Sequence, residues 1–126
     1  MFDLRLYKNV IRAAVERETE LDPHWKWRVI AINKTKVKIG WGYLDFLNEK
    51  EPFVIELKEV NEEYYDLSLS GYKPRYNWEN IENSEDEGYN FVYCWIGNKH
   101  WHDARTLEEG LAYTIHSLAQ CAHNTY

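Results

Sequence analysis

WKWRVIAINKTKVKIGWGYLDF, residues 25–46, decides the fold, because here the hydrophobic period becomes two. Trp25, Trp27, Val29 and Ala31 fall on one side of an extended chain, and Lys26, Arg28, Ile30 and Ile32 fall on the other. Asn33-Lys34-Thr35-Lys36 is a polar turn. Beyond it, Val37, Ile39, Trp41 and Tyr43 share one face, with Lys36, Lys38, Gly40 and Gly42 opposite. The pattern predicts a β-hairpin with a core face and a basic face. Gly40 and Gly42 flank Trp41 and mark either a bulge or a place where another group approaches the backbone.

Upstream, DLRLYKNVIRAAVERE (3–18) puts Leu4, Tyr7, Ile11, Ala14 and Val15 on one side at helical spacing. Asp3 is a candidate N-cap, and Asp22-Pro23 stops the helix, because a residue before proline avoids helical angles. Downstream, 52–60 alternates Phe53, Ile55 and Leu57 against Val54, Glu56 and Lys58. Residues 64–72 alternate Tyr65, Leu67 and Leu69 against Asp66, Ser68 and Ser70. Both read as strands of an antiparallel meander. Residues 73–88 lack a clear period and form an acidic, aromatic loop. YNFVYCWIG (89–97) is apolar on both faces, which predicts a central strand. Thr106-Leu107-Glu108-Glu109 fits a capping box, with Glu109 reaching back to the Thr106 amide. Leu107, Leu111, Ile115, Leu118 and Ala122 then make a helical stripe. The expectation is one α+β domain over 1–126, in the order α-β-β-β-β-loop-β-α. Its mostly antiparallel sheet has about five strands, with the N-terminal and C-terminal helices packed on one face.

The net charge of −6 is unevenly spread. Residues 1–44 carry nine Lys/Arg and five Asp/Glu, whereas residues 45–87 carry four and thirteen. Such asymmetry bears on partners rather than on fold. No apolar run is long enough to span a membrane, and Asp3, Arg5, Lys8 and Arg12 interrupt the first 14 residues, so no secretory signal is expected. Cys94 and Cys121, the only cysteines, then read as reduced thiols of a cytoplasmic protein.

NKHWHDARTLEEG (98–110) holds the candidate chemistry. On an extended segment His100 and His102 point the same way, so they can share a zinc ion, with a third ligand from His116, Cys121 or His123. The spacing matches no zinc signature such as CxxC or HExxH. Asp103 near a helix start is favourable on electrostatic grounds alone. The stretch therefore reads chiefly as the hand-over from strand to helix. No cofactor is expected, and a small metal- or histidine-dependent enzyme centred on His100/His102 is the alternative. Cys121 beside a histidine is a weaker candidate nucleophile pair.

In the 25–38 hairpin Lys26, Arg28, Lys34, Lys36 and Lys38 interleave with Trp25 and Trp27, a mixture that suits single-stranded nucleic acid. Alternation puts the charges and the tryptophans on opposite faces, however, and the chain is acidic overall, which argues against nucleic acid as partner. The basic face is also suited to the protein's own acidic half, within one chain or across a homodimer. The acidic half supplies the main functional expectation. Tyr64, Tyr72, Tyr76 and Trp78 lie among Glu79, Glu82, Glu85, Asp86 and Glu87, aromatic anchors inside a charged rim. That composition is similar in type to bacterial immunity proteins and phage-encoded inhibitors. It predicts a non-enzymatic binding module that occludes a basic partner, such as a nucleic-acid-processing enzyme or toxin.

Overall fold

The computed structural model describes residues 2–44, 46–60, 63, 65–74, 88–98 and 102–125. A single 3-10 turn, Leu4–Tyr7, leads into α1, Lys8–Leu21. Five strands follow: β1 Trp25–Ile32, β2 Lys36–Tyr43, β3 Asn48–Glu59, β4 Leu67–Pro74 and β5 Gly88–Ile96. α2, Leu107–Thr125, comes after them. The strands form one antiparallel sheet in chain order, β1-β2-β3-β4-β5. The α+β class and the element order are as expected.

The caps explain where the helical stretches start and stop. The Asp3 carboxylate accepts from the Arg5 amide at 3.0 Å. Hydrogen bonds from the Arg5 guanidinium help to hold the Asp3 carboxyl down at about 2. The last turn of α1 closes at Asp22, whose amide donates to the Glu18 carbonyl. Thr106 caps α2, accepting from the Glu109 amide at 3.2 Å. The returning bond differs from expectation by one residue, since the Glu109 carboxylate accepts from Arg105 and not from Thr106.

The core lies between the sheet and the two helices. Val37, Ile39, Phe53, Ile55, Leu69 and Cys94 from the sheet join Leu4, Ile11 and Val15 from the first helical stretch and Leu111, Ile115 and Leu118 from α2. A side-chain contact ties the helices together, with the buried Glu18 carboxylate 2.7 Å from Nδ1 of the exposed His116. The other face of the sheet carries charge, and its centre is buried while Arg28, Lys58 and Tyr93 are exposed. Lys36 stands opposite Glu56 in register and pairs with it at 3.3 Å, and Lys58 reaches the same carboxylate at 3.3 Å. Lys36 and Glu56 are both buried. Part of the basic hairpin is therefore neutralised by the chain's own acidic strand.

Two of the expectations for the strands fail. The β1–β2 ladder shifts register between Val29 and Ala31, so Ile32 packs against the core instead of facing away with Lys26 and Arg28. And β5 is an edge strand of the described sheet, not a central one. Its outward side chains are not all buried, since Tyr93 is 51% exposed, and the end of its open edge is covered by 102–104. The Asp103 amide donates to the Trp95 carbonyl at 2.9 Å, the Asp103 carboxylate accepts from the Trp95 amide at 2.9 Å, and Ala104 forms a parallel bridge with Ile96. This short segment blunts the open edge.

Candidate functional site

Of the residues expected to contact a partner, Tyr64, Tyr76, Trp78, Glu79, Glu82, Glu85, Asp86 and Glu87 lie outside the described residues. Tyr72 is described and does not fit a docking role. It is 2% exposed and sits in register with Val54, which is fully buried. Composition marked Tyr72 as an aromatic beside an acidic loop, but packing on the sheet's second face claims the ring.

A different feature opens the acidic half of the chain. Residues 43–46 make a tight turn, closed by the Phe46 amide donating to the Tyr43 carbonyl at 3.2 Å. Its second residue, Leu44, has φ of 58°, the only positive φ among the described non-glycine residues. Mirror-image turns of this kind favour glycine or asparagine at that position. A branched apolar side chain there strains the backbone by roughly 1–2 kcal/mol. The strained residue is fixed by its neighbours: the Leu44 amide donates to the His24 carbonyl at 2.6 Å, and the Tyr43 ring rests 5.4 Å from Trp25. Gly42 lets the turn fold back, because a Cβ there would stand on the Phe46 carbonyl and 2.7 Å from the Leu47 Cα. The ladder between β2 and β3 also breaks register next to Gly40. Both roles foreseen for the glycine pair therefore occur, one at each position. The result is an apolar tip in which Tyr43 and Leu44 are each 52% exposed and Phe46 is 67% exposed. Nothing in the sequence marked this turn, since leucine is not a turn residue.

Of the histidine pair, His100 lies outside the described residues. His102 is partly buried, its ring edge-on to Tyr65 at 4.8 Å and pressed against the backbone of Gly97. The other candidate ligands are dispersed. His116 pairs with Glu18, His123 packs 4.7 Å from Trp25, and Cys121 Sγ points at the Phe91 carbonyl at 3.9 Å. Among the described residues no group of three or more His, Cys, Asp or Glu side chains is placed to hold a metal ion. Asp103 is engaged by the β5 backbone, which gives it a structural task.

The cysteines differ in environment. Cys94 is buried under α2, and burial pushes its thiol up to about 11, although the neighbouring Thr114 hydroxyl opposes the shift. At pH 8 about 0.1% of such a thiol is ionised, so its alkylation should be slow even apart from access. Iodoacetamide at pH 8 is expected to modify Cys121 alone in the folded protein and both cysteines in denaturant. Peptide mass mapping reads the difference, and rapid native labelling of Cys94 would contradict the buried placement.

The tryptophans of the hairpin face the helices. Trp25 stacks on Trp27 at 6.3 Å, and Trp41 lies 6.4 Å from Trp25 and 5.7 Å from Phe53. They are core groups on the face opposite Lys36, so no stacking platform with the hairpin cations is formed by these three rings. Among the described residues no helix is long and apolar enough to cross a membrane. With this geometry in hand, comparison with protein-family models, curated proteins and solved structures gives no match to the chain.

Proposed function

We propose that the chain is a non-enzymatic protein-binding module of the inhibitor or immunity type, acting in the cytoplasm. On this reading its acidic, aromatic 45–87 half docks on a basic protein and occludes it. The observation that supports it most is Leu44, which lies immediately before that half. A large apolar side chain is kept half exposed at a position where glycine would relieve backbone strain. Strain of this kind gathers at ligand clamps and switch regions, because function retains what stability would discard. Tyr43, Leu44 and Phe46 supply apolar anchors, and the acidic residues of 45–87 other than the buried, paired Glu56 supply long-range attraction to a basic surface.

Leu44→Gly separates the two demands. It is expected to raise stability by about 1 kcal/mol through relief of strain, while weakening capture of the basic partner. Reversing Glu79, Glu82, Glu85, Asp86 and Glu87 to lysine should weaken capture as well and flatten its dependence on salt. Immobilised wild-type and variant proteins, compared by quantitative proteomics over a salt series, report both effects. A partner retained equally by all three proteins would rule the surface out.

A further inference from the structure

The outward side of α1 and the turn before it carries an apolar stripe that the fold leaves open. Leu6 is 83% exposed and Leu21 58% exposed. Between them Val10 and Ala14 are half-buried and Ala13 is exposed. Positions 6, 10, 13, 17 and 21 recur at helical spacing and so share one side, with the exposed Arg17 the one charged residue among them. The stripe borders a groove of about 490 Å³ between α1 and α2, closed on the α2 side by Ala112 and His116. Exposed apolar surface arranged in one continuous line marks an interaction site more often than scattered single residues do.

Two patterns in this helical stretch say what covers it. The first is the order of the stripe. About the midpoint between Ala13 and Ala14, Leu6 mirrors Leu21 and Val10 mirrors Arg17. In an antiparallel two-fold pairing about that midpoint, Leu6 would meet the partner's Leu21 and Val10 the partner's Arg17. The second is its antisymmetry in charge about the same midpoint. Residues 5–12 carry Arg5, Lys8 and Arg12 and no acid, whereas residues 16–22 carry Glu16, Glu20 and Asp22 against Arg17, apart from Glu18, which is buried against His116. An antiparallel copy sets the positive half against the negative half, and a parallel copy sets like against like. A heterologous partner would require neither pattern.

We propose that this face binds a second copy of the chain, α1 antiparallel to α1, around a two-fold axis at Ala13 and Ala14. The small central side chains let the two helices approach closely. Leu6 packs on the partner's Leu21 at each end. Arg17 lays its aliphatic stem over the partner's Val10 and keeps its charged head in water. The interface is separate from the turn at Leu44 and does not depend on the docking of a basic protein.

Sedimentation velocity over a concentration series tests it. The wild-type chain is expected to be a dimer at about 100 μM. Ala13→Glu should weaken the dimer at least tenfold, because it puts a charge at the axis in both copies. Leu6→Glu and Leu21→Arg should each weaken it. The double variant L6E/L21R should recover most of the loss at low salt, since it places opposite charges in register at both ends. Substitution is at exposed positions, so far-ultraviolet circular dichroism should be unchanged and loss of fold is distinguished from loss of contact. A wild-type chain that stays monomeric at that concentration would overturn the proposal, and so would a dimer indifferent to A13E. A double variant no better than its singles would overturn the antiparallel register.

Discussion

Phe53→Ala is expected to lower the free energy of unfolding by about 4 kcal/mol, counting lost transfer energy and the cavity left behind. Phe53 is fully buried in β3, the middle strand. Its ring lies 6.1 Å from Trp27, 5.7 Å from Trp41 and 6.0 Å from Phe91, the last edge-on. Three aromatic neighbours cannot collapse into the gap as a pair of leucines might be imagined to do, because rings move as rigid plates. Against a total stability of roughly 5–15 kcal/mol, that loss brings the chain near the limit of folding at physiological temperature. Denaturant titration gives the change in midpoint. Near-ultraviolet circular dichroism should also lose intensity, since Trp27 and Trp41 each lose a ring contact. A loss below about 1 kcal/mol would mean that the aromatic cluster is not the centre of packing.

Gly42→Ala should cost about 3 kcal/mol, a large value for one methyl group. The reason is what the added Cβ meets. It would overlap the Phe46 carbonyl oxygen and lie 2.6 Å from the Phe46 carbonyl carbon. Both are backbone atoms, so no side-chain rotation relieves the clash, and the 43–47 segment must move. Gly110 makes a useful contrast, because its nearest neighbour is the end of the flexible Ile96 side chain. Displacement of the turn also shifts Leu44 and Phe46, so G42A should impair partner capture by more than its stability loss accounts for. Thermal unfolding and the capture assay on one preparation measure both. A melting temperature equal to that of wild type would show that the turn accommodates a side chain.

The fold was legible wherever local chemistry and hydrophobic period agreed. Asp22-Pro23 ended α1, the Trp/Val face of 25–43 turned towards the helices, and Thr106 capped α2. The errors came where one residue's difference is invisible in composition. Val29-Ile30-Ala31-Ile32 is apolar throughout, so nothing in the letters shows that the ladder shifts there and brings Ile32 inward. The double-sided apolar pattern of β5 suggested flanking strands, yet what covers its far edge is the 102–104 segment, bonded through backbone groups that every residue possesses. The Glu18–His116 pair joins residues 98 apart, beyond any local pattern. Much of the candidate site rested on 75–87, outside the described residues, and its one described tyrosine, Tyr72, is a packing group. Leu44 escaped notice for the opposite reason, since the sequence there contradicts the usual turn rule instead of obeying it.

The meander order of the sheet sets an order of events in folding. Each strand pairs with its neighbour in sequence, so every ladder closes over a short stretch of chain and little loop entropy opposes it. The sheet can form during synthesis, strand by strand. Its helix-facing side cannot be completed in the same way. Leu69, Cys94 and Ile96 stay uncovered until Leu107–Thr125 has been made and docks on β4 and β5. The nascent chain therefore passes through a stage with paired strands and a bare greasy face, the interval in which chaperones and aggregation compete for it.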